Sequence, residues 1–346
     1  MSRLEISRPV GEVVRAIRGK GLDSRSVQRR IRQVLPVLDA FDPLTLPTPS
    51  LFPEPIYRLG GPVWACEAWK GSVYTASSKR QDWLGQYSTM FSTVEVNSTF
   101  YAIPAVETVE RWAESVRPGF AFCLKFPKSI THDRQLFEAT AETTAFLRLM
   151  ETLARHDRLG PSFLQLPPHF SGRQWPELEA YLRALPREFA YAVEVRHENY
   201  FDQGPTEQRL DDLLRELGMD RCLLDSRPLF SARPTDESER QSQRQKPRSP
   251  ARTTVTGKRP MVRFIGRNDV DRITRWIDEW ALTVSGWIDQ GLHPIVFTHT
   301  PNDAHVPSLA RRFHEAVRTH HPELAPLFSA VDAEPVPAAS RQRTLF

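Results

Sequence analysis

The chain has 346 residues, of which 40% are apolar and 25% are charged, so it can bury the core of one large domain or two ordinary ones. Its net charge of +4 is unevenly placed, because residues 1–33 and 227–259 each hold nine Lys or Arg against three acids. The rest of the chain is net acidic, and no apolar run is long enough to cross a membrane. The three cysteines are far apart in the sequence, which argues against a zinc site or a disulfide framework. We therefore expect a cytoplasmic protein.

The N-terminal residues 1–62 predict an extension to the folded domain. Residues 1–35 alternate basic and aliphatic residues at loosely helical spacing. Residues 36–62 are rich in proline, which removes backbone donors and favours extended structure. We therefore expect a basic and proline-rich segment, partly disordered, that ends at Pro62.

A repeated alternation of strand and helix patterns runs from residue 63 to residue 325. Short apolar segments with strand periodicity recur at similar intervals, and helical patterns of apolar residues fill the gaps between them. The strands are expected to begin at Val63, Thr93, Ala121, Phe163, Tyr191, Cys222, Met261 and Pro294. Eight such units over roughly 250 residues are typical of a (β/α)8 barrel, the TIM barrel. An open doubly wound sheet is the alternative, although the sequence lacks a glycine-rich first turn.

Two further segments do not fit this alternation. Residues 231–259 are polar and nearly free of aliphatic side chains, so we expect a disordered or loosely docked insertion between strands six and seven. Residues 326–346 form a polar C-terminal tail, and its last five residues match the Q-x-x-L-F form of peptides that bind the bacterial sliding clamp. The clamp is therefore a candidate partner, with Gln342, Leu345 and Phe346 at the contacts.

Polar side chains stand at the ends of nearly all the predicted strands, on the opposite face from their aliphatic neighbours. In a parallel barrel these ends converge on one mouth, where the active sites of the fold lie. Burying so many charged groups on one face is costly unless they pair with each other or with a ligand. The strand-end residues are Glu67, Glu95, Asn97, Lys125, Gln165, Glu194, Arg196, Asp225, Arg263 and His299.

The mixture of charges at this mouth indicates what it would bind. Carboxylates stand among Lys and Arg, which argues against a polynuclear metal site and suits an anionic, oxygen-rich ligand such as a phosphate. We predict catalytic roles for Glu95, Glu194 and Asp225. The ligand-binding residues would be Asn97, Tyr101, Lys125, His132, Gln165, Arg196, His197, Arg263 and His299. No cofactor is predicted, and a single divalent ion held by Glu194, Asp225 and His299 stays open.

Several blocks of this sequence resemble one known family. The segments TVEVNSTFYAIPAVETVERWAE, FCLKFPKSITH, FLQLPPHF, AVEVRHENYF, LLDSRP and VRFIG follow one another between about Val63 and His320. In this order they resemble the YecE-like family, also called domain of unknown function 72. The resemblance implies a TIM-barrel-like fold, similar to that of endonuclease IV, which has suggested a role related to DNA. It implies no settled activity.

Two hypotheses for function follow from these patterns. The first is an enzyme or ligand binder that acts at the strand ends on an anionic, phosphate-bearing ligand, such as a nucleotide or a nucleic-acid end. The alternative is a non-catalytic DNA-associated adaptor. In the adaptor, the basic head and insertion would contact phosphates, and the C-terminal peptide would recruit the clamp.

Overall fold

The computed structural model describes residues 54–332, in which eight strands alternate with helices. The strands are β1 (Arg58–Gly60), β2 (Thr93–Val96), β3 (Ala121–Leu124), β4 (Ser162–Gln165), β5 (Tyr191–Glu194), β6 (Asp220–Asp225), β7 (Met261–Ile265) and β8 (Ile295–His299). The helices are α1 (Trp83–Met90), α2 (Ser98–Tyr101), α3 (Val106–Ser115), α4 (Thr140–Arg155), α5 (Trp175–Ala184), α6 (Pro205–Leu217), α7 (Glu237–Gln245), α8 (Thr274–Asp289) and α9 (Val306–Arg318). None of the helices in this range has both the length and the apolar character of a membrane span.

The strand pairs of the two sheets are parallel. Six strands form one curled sheet in the order β1-β8-β7-β6-β5-β4, and β2 pairs with β3 in a second sheet. Helices connect consecutive strands, as parallel pairing requires, because a parallel strand can only be reached by a crossover. The chain therefore has an α/β fold in which six strands make a half-barrel.

The sequence pattern located seven strands to within two residues and misplaced the first. The first strand is Arg58–Gly60, whereas residues from Val63 onward form a loop and a short 3-10 helix, Glu67–Trp69. A Cβ atom at Gly60 would overlap the carbonyl oxygen of Thr93, so the close approach of β1 to β2 requires glycine there. The strand thus lies inside the segment that the sequence predicted to be an extension.

The structure also corrects the prediction of disorder over residues 231–259, because α7 forms within them. Asp236 caps α7 by accepting a hydrogen bond from the backbone N–H of Glu239. Glu239 is buried and ion-paired to the buried Arg267, and its carboxylate also accepts from the backbone N–H groups of Thr235 and Asn268. Ion pairs and caps hold this segment in place, whereas the prediction considered only aliphatic burial.

The inward faces of the strands carry two layers of side chains. The lower layer is an apolar cluster formed by Cys123, Phe163, Ala192, Cys222, Met261, Ile295 and Phe297. Since side chains alternate along a strand, the residues two positions later lie on the same face and toward the carboxyl ends. On β3, β4, β5, β7 and β8 those positions hold Lys125, Gln165, Glu194, Arg263 and His299. The sequence thus builds a polar layer on top of an apolar one.

Candidate ligand-binding site

A cleft of about 640 Å³ opens at the carboxyl ends of the strands. Its walls are formed by residues in or just after seven of the strands, by α7 and by Lys246, which follows α7. The lining includes Asn97, Phe100, Tyr101, Lys125, Lys128, His132, Gln165, Arg196, Gln241, Gln245, Lys246, Arg263, His299 and Asp303. The strand-end convergence expected from the sequence therefore holds for most of the predicted residues.

Arg263 is the centre of the cleft floor. Its guanidinium donates two hydrogen bonds of 2.7 Å to the two carboxylate oxygens of Glu95 and a third, of 2.6 Å, to Glu194. All three side chains are buried, and the guanidinium lies above the ring of Phe163 at 5.4 Å. One arginine thus neutralises two carboxylates directly above the apolar layer.

Further polar groups complete this floor. Arg196 donates 2.7 Å hydrogen bonds to Glu194 and to the amide oxygen of Gln165. On the other side, Glu95 accepts a 2.8 Å hydrogen bond from Asn97 and lies 3.1 Å from Nε2 of His299. We call Glu95, Asn97, Gln165, Glu194, Arg196, Arg263 and His299 the ion-pair floor.

The carboxylates of the ion-pair floor are charged and committed to their partners. Burial alone would raise the pKa of Glu194, but Arg263 and Arg196 outweigh it and lower that pKa to about 2. The pKa of Glu95 is also lowered well below its usual value, because Arg263 and His299 outweigh the effect of burial. Burial lowers the pKa of His299 to about 4, so this imidazole is neutral at pH 7. Such carboxylates are weak bases, which argues against the proton-transfer roles predicted for them.

Lys125 stands in the cleft wall and differs from the floor. Its Nζ atom lies 4.1 Å from the centre of the Phe100 ring, and the residue is 8% exposed. Within residues 54–332 its ammonium group has no hydrogen bond and no ion pair. Burial, and secondarily the charge of Arg263, lower its pKa to about 7. It is therefore a cleft side chain whose charge changes near neutral pH.

Lys246 is a cleft residue that the sequence reasoning missed. It follows α7 directly and lines the cleft together with Gln241 and Gln245 of that helix. Its pKa is lowered by burial and by Arg263, and its ammonium group has no hydrogen-bond or ion-pair partner in the described range. The capping pattern of Asp236 with Glu239 three residues later was the signal that a helix forms here. We call Lys125 and Lys246 the two cleft lysines.

The predicted loop residues divide between the cleft and its surroundings. Tyr101 lines the cleft with a ring that is 80% exposed, and His132 lines it with its ring edge-on to Phe100 at 5.0 Å. Burial and the charge of Lys125 lower the pKa of His132 to about 4. His197 is not part of the lining, because its Nδ1 caps a 3-10 helix by accepting from the backbone of Asn199.

Two acids predicted at the mouth lie elsewhere. Asp225 is buried, but its carboxylate accepts hydrogen bonds from Arg227 and from the indole of Trp280 on α8. Because Cys222 belongs to the inward apolar layer, alternation turns Leu224 inward and Asp225 toward the helices. Glu67 is exposed and pairs with Lys70 at 3.3 Å, since its segment is not a strand. Neither acid lines the cleft.

The three candidate ligands for a divalent ion do not come together. Glu194 is bound by two arginines, and Asp225 faces away from His299. The described part of the chain holds no group of three or more His, Cys, Asp and Glu side chains arranged to bind a metal. The basic residues 1–33 and the predicted clamp-binding residues Gln342, Leu345 and Phe346 lie outside residues 54–332.

Comparisons with known proteins agree on one family. The family model described as "Protein of unknown function DUF72" matches residues 58–334. The chain is 37% identical over 288 residues to the UPF0759 protein YecE of Escherichia coli K12, covering 83% of this chain and 99% of that protein. A solved DUF72 family protein of Thermotoga maritima MSB8 superposes with a TM-score of 0.57 at 21% identity, over 77% of this chain and 99% of its own. One from Enterococcus faecalis V583 also gives 0.57, at 18% identity, over 78% and 98%.

Proposed function

The chain belongs to the DUF72 family of proteins of unknown function, and for this member we propose that the cleft at the strand ends binds an anionic, phosphate-bearing ligand. The observation that carries the proposal is the pair of cleft lysines. Both line the cleft, and neither ammonium group forms an ion pair or a hydrogen bond with residues 54–332. Lys125 is buried and Lys246 is half-buried. Removing an ammonium group from water is costly without a partner, and a ligand phosphate would supply that partner.

The charge of the whole lining supports the same choice of ligand. Lys125, Lys128, Arg196, Lys246 and Arg263 all contribute cations to the wall or floor. Within the part of the chain that the structure describes, Asp303 is the one acid among the lining residues, and burial raises its pKa. The carboxylates of Glu95 and Glu194 lie beneath and pair with Arg263 and Arg196, and Lys128 pairs with Asp133. Lys125 and Lys246 therefore carry the positive charge of the lining that is left without an ion pair in the described range. The cleft thus attracts anions, and nucleotides, sugar phosphates and nucleic-acid ends are the classes to test.

The proposal includes closure of the two sheets into a (β/α)8 barrel. Between β1 and β2, the N–H of Ser92 donates to Leu59 at 3.1 Å and the N–H of Glu95 donates to Gly61 at 3.0 Å. Between β3 and β4, Lys125 and Phe163 make a parallel bridge. These bonds favour a continuous wall of eight strands, in which all the strand ends surround one cleft. We also retain the cytoplasmic setting, which the three free cysteines support.

A thermal-shift screen of phosphorylated metabolites, nucleotides and short oligonucleotides tests the binding proposal. A ligand that binds only the native state at 100 times its Kd adds about 2.7 kcal/mol to stability. We expect at least one phosphorylated compound to raise Tm, and its uncharged parent compound to have no effect. Lys246→Ala should weaken that response. Arg244→Ala is the matched control, because Arg244 is exposed on the last turn of the same helix and does not line the cleft.

The proposal fails if every compound that stabilises the wild type stabilises Lys246→Ala to the same extent as the wild type and the Arg244→Ala control. It also fails if uncharged compounds stabilise the protein as strongly as their phosphorylated forms. Binding that is strongest for oligonucleotides and falls steeply with salt would assign the ligand class to nucleic acid.

A further inference from the structure

Lys125 has features beyond those that an anion contact needs. It follows β3 directly, so the sheet fixes its backbone, and its Cα pairs in register with Phe163 of the neighbouring chain segment. Its carbonyl oxygen accepts a 2.7 Å hydrogen bond from Thr99. The side chain rises past the Phe100 ring into the cleft. The amine is therefore held in a fixed place against an apolar surface.

Lys128, three residues further along the same segment, provides an internal comparison. Its ammonium group is about half exposed and forms a 2.9 Å ion pair with Asp133. Lys125, in contrast, has neither water around most of its side chain nor a carboxylate partner in the described range. Both lysines line the cleft, yet the surroundings of Lys125 disfavour the charged form of the amine.

The charged groups around Lys125 explain its state. Burial is the largest cause that lowers its pKa, and the charge of Arg263 is the next. Glu95 and Glu194 raise this pKa, and Arg196 lowers it by a smaller amount. At a pKa of about 7 a large fraction of the amine is neutral near pH 7. A desolvated lysine beside other cations is the setting in which lysine acts as a nucleophile.

We propose that Lys125 forms an imine with the carbonyl group of a phosphorylated aldehyde or ketone bound in the cleft. The inference rests on the proposed function, because Lys246 would hold the phosphate while Lys125 meets the carbonyl carbon. It narrows the ligand class from any phosphate-bearing compound to one that also carries a carbonyl group.

The step is balanced without an oxidant or a cofactor. The lone pair of the neutral Nζ atom attacks the carbonyl carbon, a C–N bond forms, and the carbonyl oxygen takes a proton from the amine. The second amine proton then leaves with that hydroxyl group as water, and the C=N bond forms. A proton from solvent converts the product to an iminium ion. The neutral His132, on the same Phe100 ring, is placed to exchange protons with the intermediate.

Reductive trapping tests this inference. The full-length protein is incubated with glyceraldehyde 3-phosphate and sodium borohydride, which delivers hydride to an iminium carbon and leaves a stable secondary amine. Peptide mapping then compares the modification of Lys125 with that of Lys128 and the exposed Lys79 in the same sample. We expect selective modification of Lys125, and glyceraldehyde without phosphate should give only the background seen at the other two lysines.

Variants and pH separate imine formation from binding. Glycerol 3-phosphate, which has no carbonyl group, should stabilise the wild type without being trapped. Lys125→Arg removes the amine that forms the imine, so this variant should not be trapped, whereas Lys79→Arg, at an exposed lysine outside the cleft, should be trapped at Lys125 like the wild type. The trapping rate at Lys125 should rise about tenfold per pH unit below its pKa of about 7 and level off above it. Lys128 should continue to gain reactivity at higher pH, as an ordinary lysine does.

Each outcome decides between the two proposals. Stabilisation by glycerol 3-phosphate with equal trapping at Lys125 and Lys128 overturns the imine and leaves anion binding in place. If no phosphorylated compound stabilises the protein and none is trapped at Lys125, the binding proposal fails and the imine fails with it. Trapping at Lys125 that does not depend on the phosphate would also contradict the stated ligand class.

Discussion

The ion-pair floor and the two cleft lysines lie at the same mouth but differ in where their counter-charges come from. In the floor, Arg263 and Arg196 neutralise Glu95 and Glu194 through bonds of 2.6 to 2.7 Å. The cleft lysines have no such partner among residues 54–332. A charge that the protein neutralises itself maintains the architecture, whereas a charge that it leaves uncompensated is available to a ligand. This distinction predicts opposite effects of mutation on the two groups.

The largest expected effect comes from breaking the floor. Arg263→Met removes the cation shared by Glu95 and Glu194, which leaves buried Glu95 with only neutral partners and buried Glu194 with Arg196 alone. We expect the free energy of unfolding to fall by about 3–5 kcal/mol, measured by urea denaturation. Arg272→Met is the control, because its ion pair with Asp269 is exposed and should contribute less than about 1 kcal/mol. Similar losses in the two variants would show that the floor is not a structural unit.

Acid should weaken the floor in a defined pH window. The pKa of Glu194 is lowered from 4.5 to about 2, so the native state binds its proton more weakly than the unfolded state does. The resulting stabilisation is fully present above pH 4.5 and is lost as the pH falls toward 2. Denaturation curves between pH 2 and 6 should show this loss, and Glu194→Gln should flatten the pH dependence. An equal slope in the variant would contradict the assignment.

Asp225 sharpens the comparison because it is a buried acid outside the cleft. Asp225→Asn weakens its bonds to Arg227 and Trp280 and should cost about 1–3 kcal/mol of stability. The affinity of Asp225→Asn for any phosphorylated ligand found in the screen, measured by calorimetry, should equal that of the wild type. A selective loss of affinity in a folded variant would show that Asp225 takes part in ligand binding.

The smallest effect is expected to have the opposite sign. Lys125→Met replaces a buried ammonium group with an apolar side chain of similar length and should raise stability by about 0.5–2 kcal/mol. The pKa of Lys125 is lowered from 10.5 to about 7, so the unfolded state binds more protons between these values and wild-type stability rises with pH there. The gain from the mutation should therefore be larger at pH 6 than at pH 10. A destabilised variant would mean that Lys125 has a structural partner.

Most of the cleft could be predicted from the sequence because strand periodicity is a local signal. Alternation alone placed Glu95, Lys125, Glu194 and Arg263 on inward faces, and the order of the strands brought them to one mouth. The same rule failed for Asp225, since Leu223 and Leu224 are both aliphatic and leave the face of the strand undecided. The packing of Cys222 in the apolar layer settles that face, and this packing is a tertiary contact.

The remaining errors also arise from contacts between distant segments. β1 was missed because Gly60 is required by the close approach of β2, and a pattern of apolar residues does not show that contact. α7 was missed because its stability comes from the pairing of Glu239 with Arg267 at the end of β7. The pairing of the two carboxylates with Arg263 likewise appears only in three dimensions, and it argues against the proton-transfer roles predicted for them.

The most direct test of the account is the ligand response of a variant that lacks both cleft lysines. The double variant Lys125→Met with Lys246→Met should fold with a Tm equal to or above that of the wild type, because no ion pair of the floor is touched. It should lose the stabilisation given by inorganic phosphate and by the most effective phosphorylated compound of the screen. A folded double variant that keeps the full stabilisation would contradict the claim that these lysines bind the phosphate of a ligand.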